Sequence, residues 1–345
     1  MIIDIHGHYT TEPAAMLQFR DKQLAGLADP GRRPTTSDLG LSDDEIIKSV
    51  QPQVKMQQAR GSDLTIFSPR AAGMGHHVGT ESVGQEWSRL SNDMIHRVCT
   101  LLPDNFAAVG QLPQVPGVSP KNCIPELERI AGLGFVGVNL NPDTSGGHWN
   151  DPPLTDRYWY PVYEKLVELK MPAMIHVTGS CNPAVHHTGA HYINADTTAF
   201  MQLIQGNLFK DFPELKFVIP HGGGAAPYHW GRYRGLAMML KKPTLAEHLL
   251  KNVFFDTCVY HLPGMSLLTE VVPVDNILFG SEMLGAVRDI DPETGNYFDD
   301  TKRYIDQIGR LSDADRYKLL EGNARKVYPR LDAQLAKRGK PGRPA

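Results

Sequence analysis

Eight short apolar runs, rich in β-branched and aromatic residues and separated by helix-like segments, predict an α/β chain wound as a (β/α)8 barrel. The runs are IIDIH at 2–6, DLTIFSP at 63–69, FAAVGQLP at 106–113, FVGVNLNP at 135–142, PAMIHVTG at 172–179, KFVIPHGG at 216–223, VFFDTCVY at 253–260 and NILFGSE at 276–282. Most are continuously apolar rather than alternating, as parallel strands covered by helices on the outside require. A chain of 345 residues with 41% hydrophobic content has the length and the core for one such barrel. No repeat beyond the βα alternation and no compositional break divides it, so 1–345 reads as a single domain.

Taken in order, the opening strand ends in His6 and His8 on either side of Gly7. Residues two apart on a strand point the same way, so both imidazoles face one side. The stretch from Thr11 to Gly40 is polar, carries Pro and Gly and lacks sustained periodicity; a long loop over the barrel mouth is expected there. Ser42 and Glu45 form an S-x-x-E capping box, after which Ile46, Val50 and Val54 share a helix face despite Pro52. A further helix is expected from Tyr158 to Leu169. The last segment is helical, and from Ala336 the basic, Gly- and Pro-rich AKRGKPGRPA reads as a frayed tail.

A formal charge of -3 and a pI of about 6.5 give no electrostatic case for a nucleic acid or an anionic membrane as partner. Any anionic ligand has to be met by local cations. Cys99, Cys123, Cys181 and Cys258 form no C-x-x-C pair, so they suggest neither a zinc knuckle nor a disulfide framework. The start of the chain has no basic flank followed by an apolar segment, and no apolar run approaches the ~20 residues a bilayer span needs. A cytoplasmic protein is expected.

In such a barrel the chemistry sits at the C-terminal ends of the strands. Here strand one ends in His6 and His8, strand two in Ser68 and Arg70, strand four in Asn139 and Asn141, strand five in His176, strand six in His221, and strand eight in Glu282. A single buried histidine is most often a core residue with its hydrogen bonds satisfied. Four histidines and a carboxylate at converging strand ends instead make a nitrogen-and-oxygen site suited to zinc, manganese or iron, with zinc the default. The HGGG at 221–224 has a rival reading as an oxyanion loop, but that needs a G-x-S-x-G nucleophile elbow, and the chain contains none. The glycines are then expected to make a tight turn with close backbone approach.

An H-x-H after strand one, single histidines after strands five and six and an acid after strand eight resemble the amidohydrolase superfamily. The stretch GNLFKDFPELKFVIPHGGG is similar to its branch of metal-dependent decarboxylases of aromatic and unsaturated acids. MIIDIHGHYT, MIHVTGSCNPAVH, FDTCVYH, GSEMLGAVR and EGNARKVYPRL more closely resemble that branch's hydratases of protocatechuate and gallate meta-cleavage. This resemblance implies a hydro-lyase that adds water to 4-oxalomesaconate to give 4-carboxy-4-hydroxy-2-oxoadipate. Strand four ends in asparagines, with no lysine to carboxylate as a bridge between two metals, so one ion per chain is expected.

The resemblance implies zinc, with Mn2+ or Fe2+ as alternatives, on His6, His8 and His176. Glu282 either fills the fourth protein position or acts beside it as the base. His221 would orient the water or the substrate. Tyr192 is a candidate acid or donor to a developing enolate, and Glu45 a candidate carbon acid if the first helix reaches the mouth. Three substrate carboxylates call for Arg70 and Arg288, with His77 and Asn139 as further contacts. A homo-oligomer is expected, since barrels of this branch often assemble. Two other readings stay open: a decarboxylase with the same metal set, and a non-catalytic, metal-stabilised binding barrel.

Overall fold

The structure, a computed structural model, describes residues 1–35 and 38–343. Eight parallel strands pair in sequence order: β1 (Ile3–His8), β2 (Leu64–Ser68), β3 (Phe106–Gln111), β4 (Gly137–Leu140), β5 (Ala173–Ile175), β6 (Phe217–Ile219), β7 (Val253–Asp256) and β8 (Ile277–Leu278). Backbone bonds from Ile5 N to Phe279 O and from Glu282 N to His6 O, each 2.8 Å, tie the end of β8 back to β1. The result is the (β/α)8, or TIM, barrel that the eight runs predict.

Helices cover the outside. They are α1 (Ala14–Ala28), α2 (Asp43–Ala59), α3 (Glu81–Leu101), α4 (Ile124–Gly132), α5 (Tyr160–Glu168), α6 (Tyr192–Gln205), the single turn α7 (Leu208–Asp211), α8 (Trp230–Met239), the short α9 (Leu245–His248) and α10 (Leu262–Val271). After β8 come α11 (Lys302–Gln307), α12 (Asp313–Tyr317), α13 (Asn323–Val327) and α14 (Pro329–Lys337). Most of the core lies between strands and helices. A second apolar cluster fills the barrel: Ile3, Ile5, Leu64, Ile66, Val109, Val218 and Phe254 pack from the strands, and Val327, Tyr328, Leu331 and Leu335 close the bottom.

Two sequence expectations need correction. Thr11 to Gly40 is not simply a loop: α1 occupies Ala14–Ala28, and its buried stripe is Met16, Phe19, Arg20, Gln23 and Gly26. The spacing is helical, but three of the five are Arg, Gln and Gly, so apolar periodicity could not reveal it. Arg20 and Gln23 are buried because they bond to each other and to α3 and the loop before it. The C-terminal tail is docked, not frayed, over its described residues. The helix continues to Lys337, Lys340 pairs with Asp104, and the Arg343 amide donates to the Tyr317 hydroxyl.

A bulge in β1 positions the first two histidines. Asp4 pairs with Thr65 and Gly7 with Phe67, so Ile5 and His6 together oppose Ile66. The extra residue shifts the side-chain alternation: Ile3 and Ile5 face the barrel core, and His6 and His8 also face inward, at its mouth. Gly7 then lies against the covering layer, where a Cβ would come 2.3 Å from Thr65 Cγ2.

Candidate active site

At the mouth the four strand-end histidines stand together. Ring centroids are 4.8 Å apart for His6–His8, 5.4 Å for His6–His176, 5.0 Å for His8–His176, and 5.4 and 5.3 Å from His221 to His6 and His176. One ligand atom each from His6, His176, His221 and Glu282 lies within 4.8 Å of the others, and His8 Nε2 is 2.9 Å from His6 Nε2. All five are buried.

Each ring is turned by a partner on its other nitrogen. His6 Nδ1 meets Asp256 Oδ2 at 2.6 Å, His8 Nδ1 the Ser68 hydroxyl at 2.7 Å, His176 Nδ1 the Val177 carbonyl at 2.9 Å, and His221 Nδ1 Asp196 Oδ2 at 2.8 Å. This leaves the Nε2 atoms as the nitrogens available to a ligand. Those of His176 and His221 are buried without any hydrogen-bond partner among the described residues. Buried polar atoms left unpaired are disfavoured, and Nδ1 anchoring with Nε2 free is how metal-binding histidines are held. The residues fit a divalent metal ion.

Electrostatics separates the histidines. Burial, helped by the neighbouring rings, pushes His8 and His176 well below the ordinary imidazole range, leaving neutral rings with lone pairs to offer. For His221 burial also opposes charge, but the Asp196 carboxylate and its hydrogen bond outweigh it and raise the pKa. The Asp196 carboxylate thus favours the protonated form of the His221 ring. Its Nε2 is 3.7 Å from Glu282 Oε2, and Tyr260 donates to the same oxygen at 3.0 Å.

The backbone is left-handed at both His221 (φ 51°) and Glu282 (φ 52°), an uncommon conformation for non-glycine residues. The glycines after His221 make this turn possible: Gly222, Gly223 and Gly224 all have positive φ, and a Cβ on each would come within 2.6 Å of Val259, Phe255 or Ile193. The Gly222 amide donates to Asp256. The HGGG segment is the tight, close-packed turn expected, with that amide holding the carboxylate partner of His6. Behind Glu282, Asp4 accepts from the Ser281 amide and hydroxyl and from the His6 amide, fastening the β8 end to the β1 bulge.

The other sequence candidates divide. Tyr192 is buried, with its ring stacked on His221 at 5.8 Å and edge-on to His176 at 5.1 Å. Burial, then the charge of Glu282, pushes its hydroxyl far up, so it stays a donor. Arg70 follows β2, partly exposed, 3.6 Å from Glu12. Arg288 is exposed in the loop after β8 and forms no ion pair among the described residues. His77 is half-buried, with Nδ1 unpartnered.

Two candidates are engaged by other groups of the chain. Asn139 donates to the Ser68 hydroxyl at 3.1 Å, so it supports His8 at one remove. Glu45 is exposed, its carboxylate closing the Ser42 capping box by accepting from the Ser42 amide at 2.8 Å, and no contact joins it to the histidines.

Sequence reading missed Asp196, Asp256 and Tyr260. Asp256 ends β7, and the same search of strand ends would have found it. Asp196 lies one helical turn after Tyr192 on α6, so a candidate at Tyr192 marks its face. Tyr260 carries no local signal.

An eight-stranded barrel with its polar residues gathered in this way defines a metal-dependent hydrolase-like class, and comparison narrows it. A family model described as amidohydrolase matches residues 3–330, and the chain belongs to that family. It is 59% identical over 341 residues to 2-keto-4-carboxy-3-hexenedioate hydratase of Sphingobium sp. (strain NBRC 103272 / SYK-6), spanning 98% of this chain and 99% of the relative. The crystal structure of 4-oxalomesaconate hydratase from Rhodopseudomonas palustris superposes with a TM-score of 0.92 at 60% identity, covering 99% of both chains. The gamma-resorcylate decarboxylase of Polaromonas sp. (strain JS666 / ATCC BAA-500) is 24% identical over 297 residues, 80% of this chain and 86% of its own. The 5-carboxyvanillate decarboxylase of Sphingomonas paucimobilis shares the fold, with a TM-score of 0.68 at 20% identity over 95% of this chain and 98% of that one.

Proposed function

We infer that this chain is a metal-dependent hydro-lyase that hydrates 4-oxalomesaconate, an unsaturated oxo-tricarboxylate, to 4-carboxy-4-hydroxy-2-oxoadipate in protocatechuate and gallate meta-cleavage catabolism. The observation that carries this reading is the 59% identity to a hydratase along essentially the whole chain.

The substrate names of the two hydratases describe double-bond isomers of one unsaturated oxo-tricarboxylate, and water adds to that acid as its conjugated 3-hexenedioate isomer. There the alkene is conjugated with the C2 ketone. Water adds at C4 and a proton at C3; one O–H bond and the π bond are consumed, C–O and C–H bonds form, and nothing is oxidised or reduced. The charge that builds up on the way spreads onto the ketone oxygen as an enolate.

His6, His8 and His176 would hold the metal ion, with Glu282 at their edge; we propose zinc, one per chain, with Mn2+ or Fe2+ as alternatives. When bound, such an ion supplies acidification of water, to a pKa of about 7 for zinc. Glu282 takes the proton of the attacking water, its carboxylate steadied by the Tyr260 hydroxyl. His221, anchored on Asp196, orients the water or the substrate. The Tyr192 hydroxyl donates to the enolate oxygen. Arg70, exchanging Glu12 for substrate, and Arg288 clamp carboxylates as planar forks, with His77 as a third donor. No described helix is long and apolar enough to cross a membrane, and we propose that the chain works as one barrel domain in the cytoplasm on a small-molecule substrate.

The test is to supply metal-loaded protein with the conjugated acid and follow loss of its chromophore while trapping carbon dioxide. Hydration with no gas evolved is expected. Stoichiometric carbon dioxide would transfer the chain to the decarboxylases, and an inert, metal-loaded barrel would leave only a binding role.

A further inference from the structure

The loop after β4, residues 141–151, has more internal structure than a connection to α5 requires. Asp143 is buried at its centre, and its carboxylate accepts from the amides of Ser145 at 3.0 Å, Gly147 at 2.6 Å and Trp149 at 3.2 Å, and from the Ser145 hydroxyl. Charge-assisted bonds from converging backbone amides hold the turn in one shape. Thr144 is fastened separately, its amide and hydroxyl both donating to Asp151.

Wrapping around Asp143 puts Gly146 (φ 72°), Gly147 (φ 104°) and Trp149 (φ 54°) in left-handed backbone. Glycine adopts it freely, whereas for a bulky side chain it is an outlier. Such strain persists where the surroundings hold it, and it marks positions whose side chain has to be in one place. Trp149 is half-buried and packs against a small apolar cluster, Val177, Tyr192 and Ala195, that stands apart from the main core. The strained residue thus backs the candidate donor to the enolate.

Earlier in the same loop, Gly146 meets His77. A Cβ on Gly146 would come 2.8 Å from His77 Cγ, so bare backbone is what seats this ring, and the Gly146 carbonyl accepts from the Cys181 amide at 2.9 Å. At the base of the loop, Asn141 donates to His76 Nδ1 at 2.8 Å, and the other nitrogen of that ring meets the Leu112 carbonyl at 3.0 Å. His77 and Tyr192 come from the loops after β2 and β5, and the 141–151 loop is in contact with both. In a 2-oxo acid the carboxylate is bonded directly to the ketone carbon, so donors for the two must stand at one spacing.

We propose that the 141–151 loop is a spacer: Asp143 shapes it, and Gly146 and Trp149 set His77 and Tyr192 at the separation that a carboxylate and its neighbouring ketone require. Asp143, Gly146 and Trp149 are positioning residues, acting through the two donors, and what those donors hold rests on the hydratase reading.

The test compares variants of the intact, metal-loaded protein. Trp149→Ala should lower turnover by ~10²-fold with the Michaelis constant nearly unchanged, since Tyr192 is displaced from the enolate, and Trp149→Phe should restore most of it. Gly146→Ala pushes His77 aside and should raise the Michaelis constant ~10-fold with turnover held, the cost of one hydrogen bond to a charged group. A merely structural role would move both variants alike. Two readouts need no activity. Hydrogen exchange at the Ser145, Gly147 and Trp149 amides, slow in the wild type, should become fast in Asp143→Asn. Binding of propane-1,2,3-tricarboxylate, measured by calorimetry, should weaken ~10-fold in Gly146→Ala and hold in Trp149→Ala. A wild type that exchanges slowly and shows this binding pattern, yet does not hydrate the oxo acid, would remove the hydratase reading and leave the spacer. Fast exchange in the wild type, or the same kinetic and binding change in both variants, would overturn the spacer.

Discussion

At the C-terminal ends of the strands the barrel interior holds His6, His8, His176, His221 and Glu282, with Asp4, Asp196 and Asp256 buried behind them. At the N-terminal ends the same interior is closed by Ala324, Val327, Tyr328, Leu331 and Leu335, delivered by α13 and α14. The upper end includes left-handed backbone at His221 and Glu282, glycines without room for a Cβ, and unpartnered ring nitrogens on His176 and His221. The lower end is apolar packing. Strain and buried polarity are tolerated where chemistry needs them because the hydrophobic core that holds the strands lies elsewhere. Damage at the two ends should therefore show in different measurements.

The largest effect is expected from His176→Ala, which removes a ring proposed to hold the metal: bound metal and turnover should both be lost while most of the fold remains. Retention of full metal occupancy by elemental analysis would show that His176 is not a ligand. Next is Glu282→Gln, which keeps shape but not basicity. Turnover should fall by ~10²–10⁴-fold, as for a positioned acid or base, with the Michaelis constant nearly unchanged. Near-normal turnover would make Glu282 a passive group and remove the account of water activation.

The lower end should respond in reverse. Tyr328→Ala empties a fully buried aromatic site and should lower unfolding free energy by roughly 3–5 kcal/mol in a denaturant titration, the range for large aromatic truncations. The folded, metal-loaded fraction should keep its specific activity; a parallel loss of turnover would erase the contrast between the ends. At the edge of the mouth, Arg288→Lys keeps charge but loses the planar fork, so the Michaelis constant should rise more than turnover falls. Smallest is Glu45→Ala, which should lower Tm slightly through the lost capping box and leave turnover alone. A clear drop in turnover would return Glu45 to the reaction.

Much of this was legible in the sequence because it is local. The eight runs report strands directly, since continuous apolar β-rich stretches have few alternatives, and Ser42 with Glu45 announces the start of α2 within four residues. His6 and His8 declare themselves by spacing and by following a strand. The helix α1 was hidden because its inner face is made of Arg20, Gln23 and Gly26, polar or small residues buried only through partners elsewhere in the chain.

The division of labour at the site had to wait for the tertiary structure. His6 is distinguished by Asp256, 250 residues away, His8 by Ser68, 60 away, and His221 by Asp196, 25 away. The hydrogen bond from Asn139 to Ser68, 71 residues away, has the same origin. Residue type and strand position determined that histidines and a glutamate gather at one mouth. How each ring is turned and held depends on the partner at Nδ1, and that partner is chosen only when the barrel closes and brings distant strands within hydrogen-bond reach.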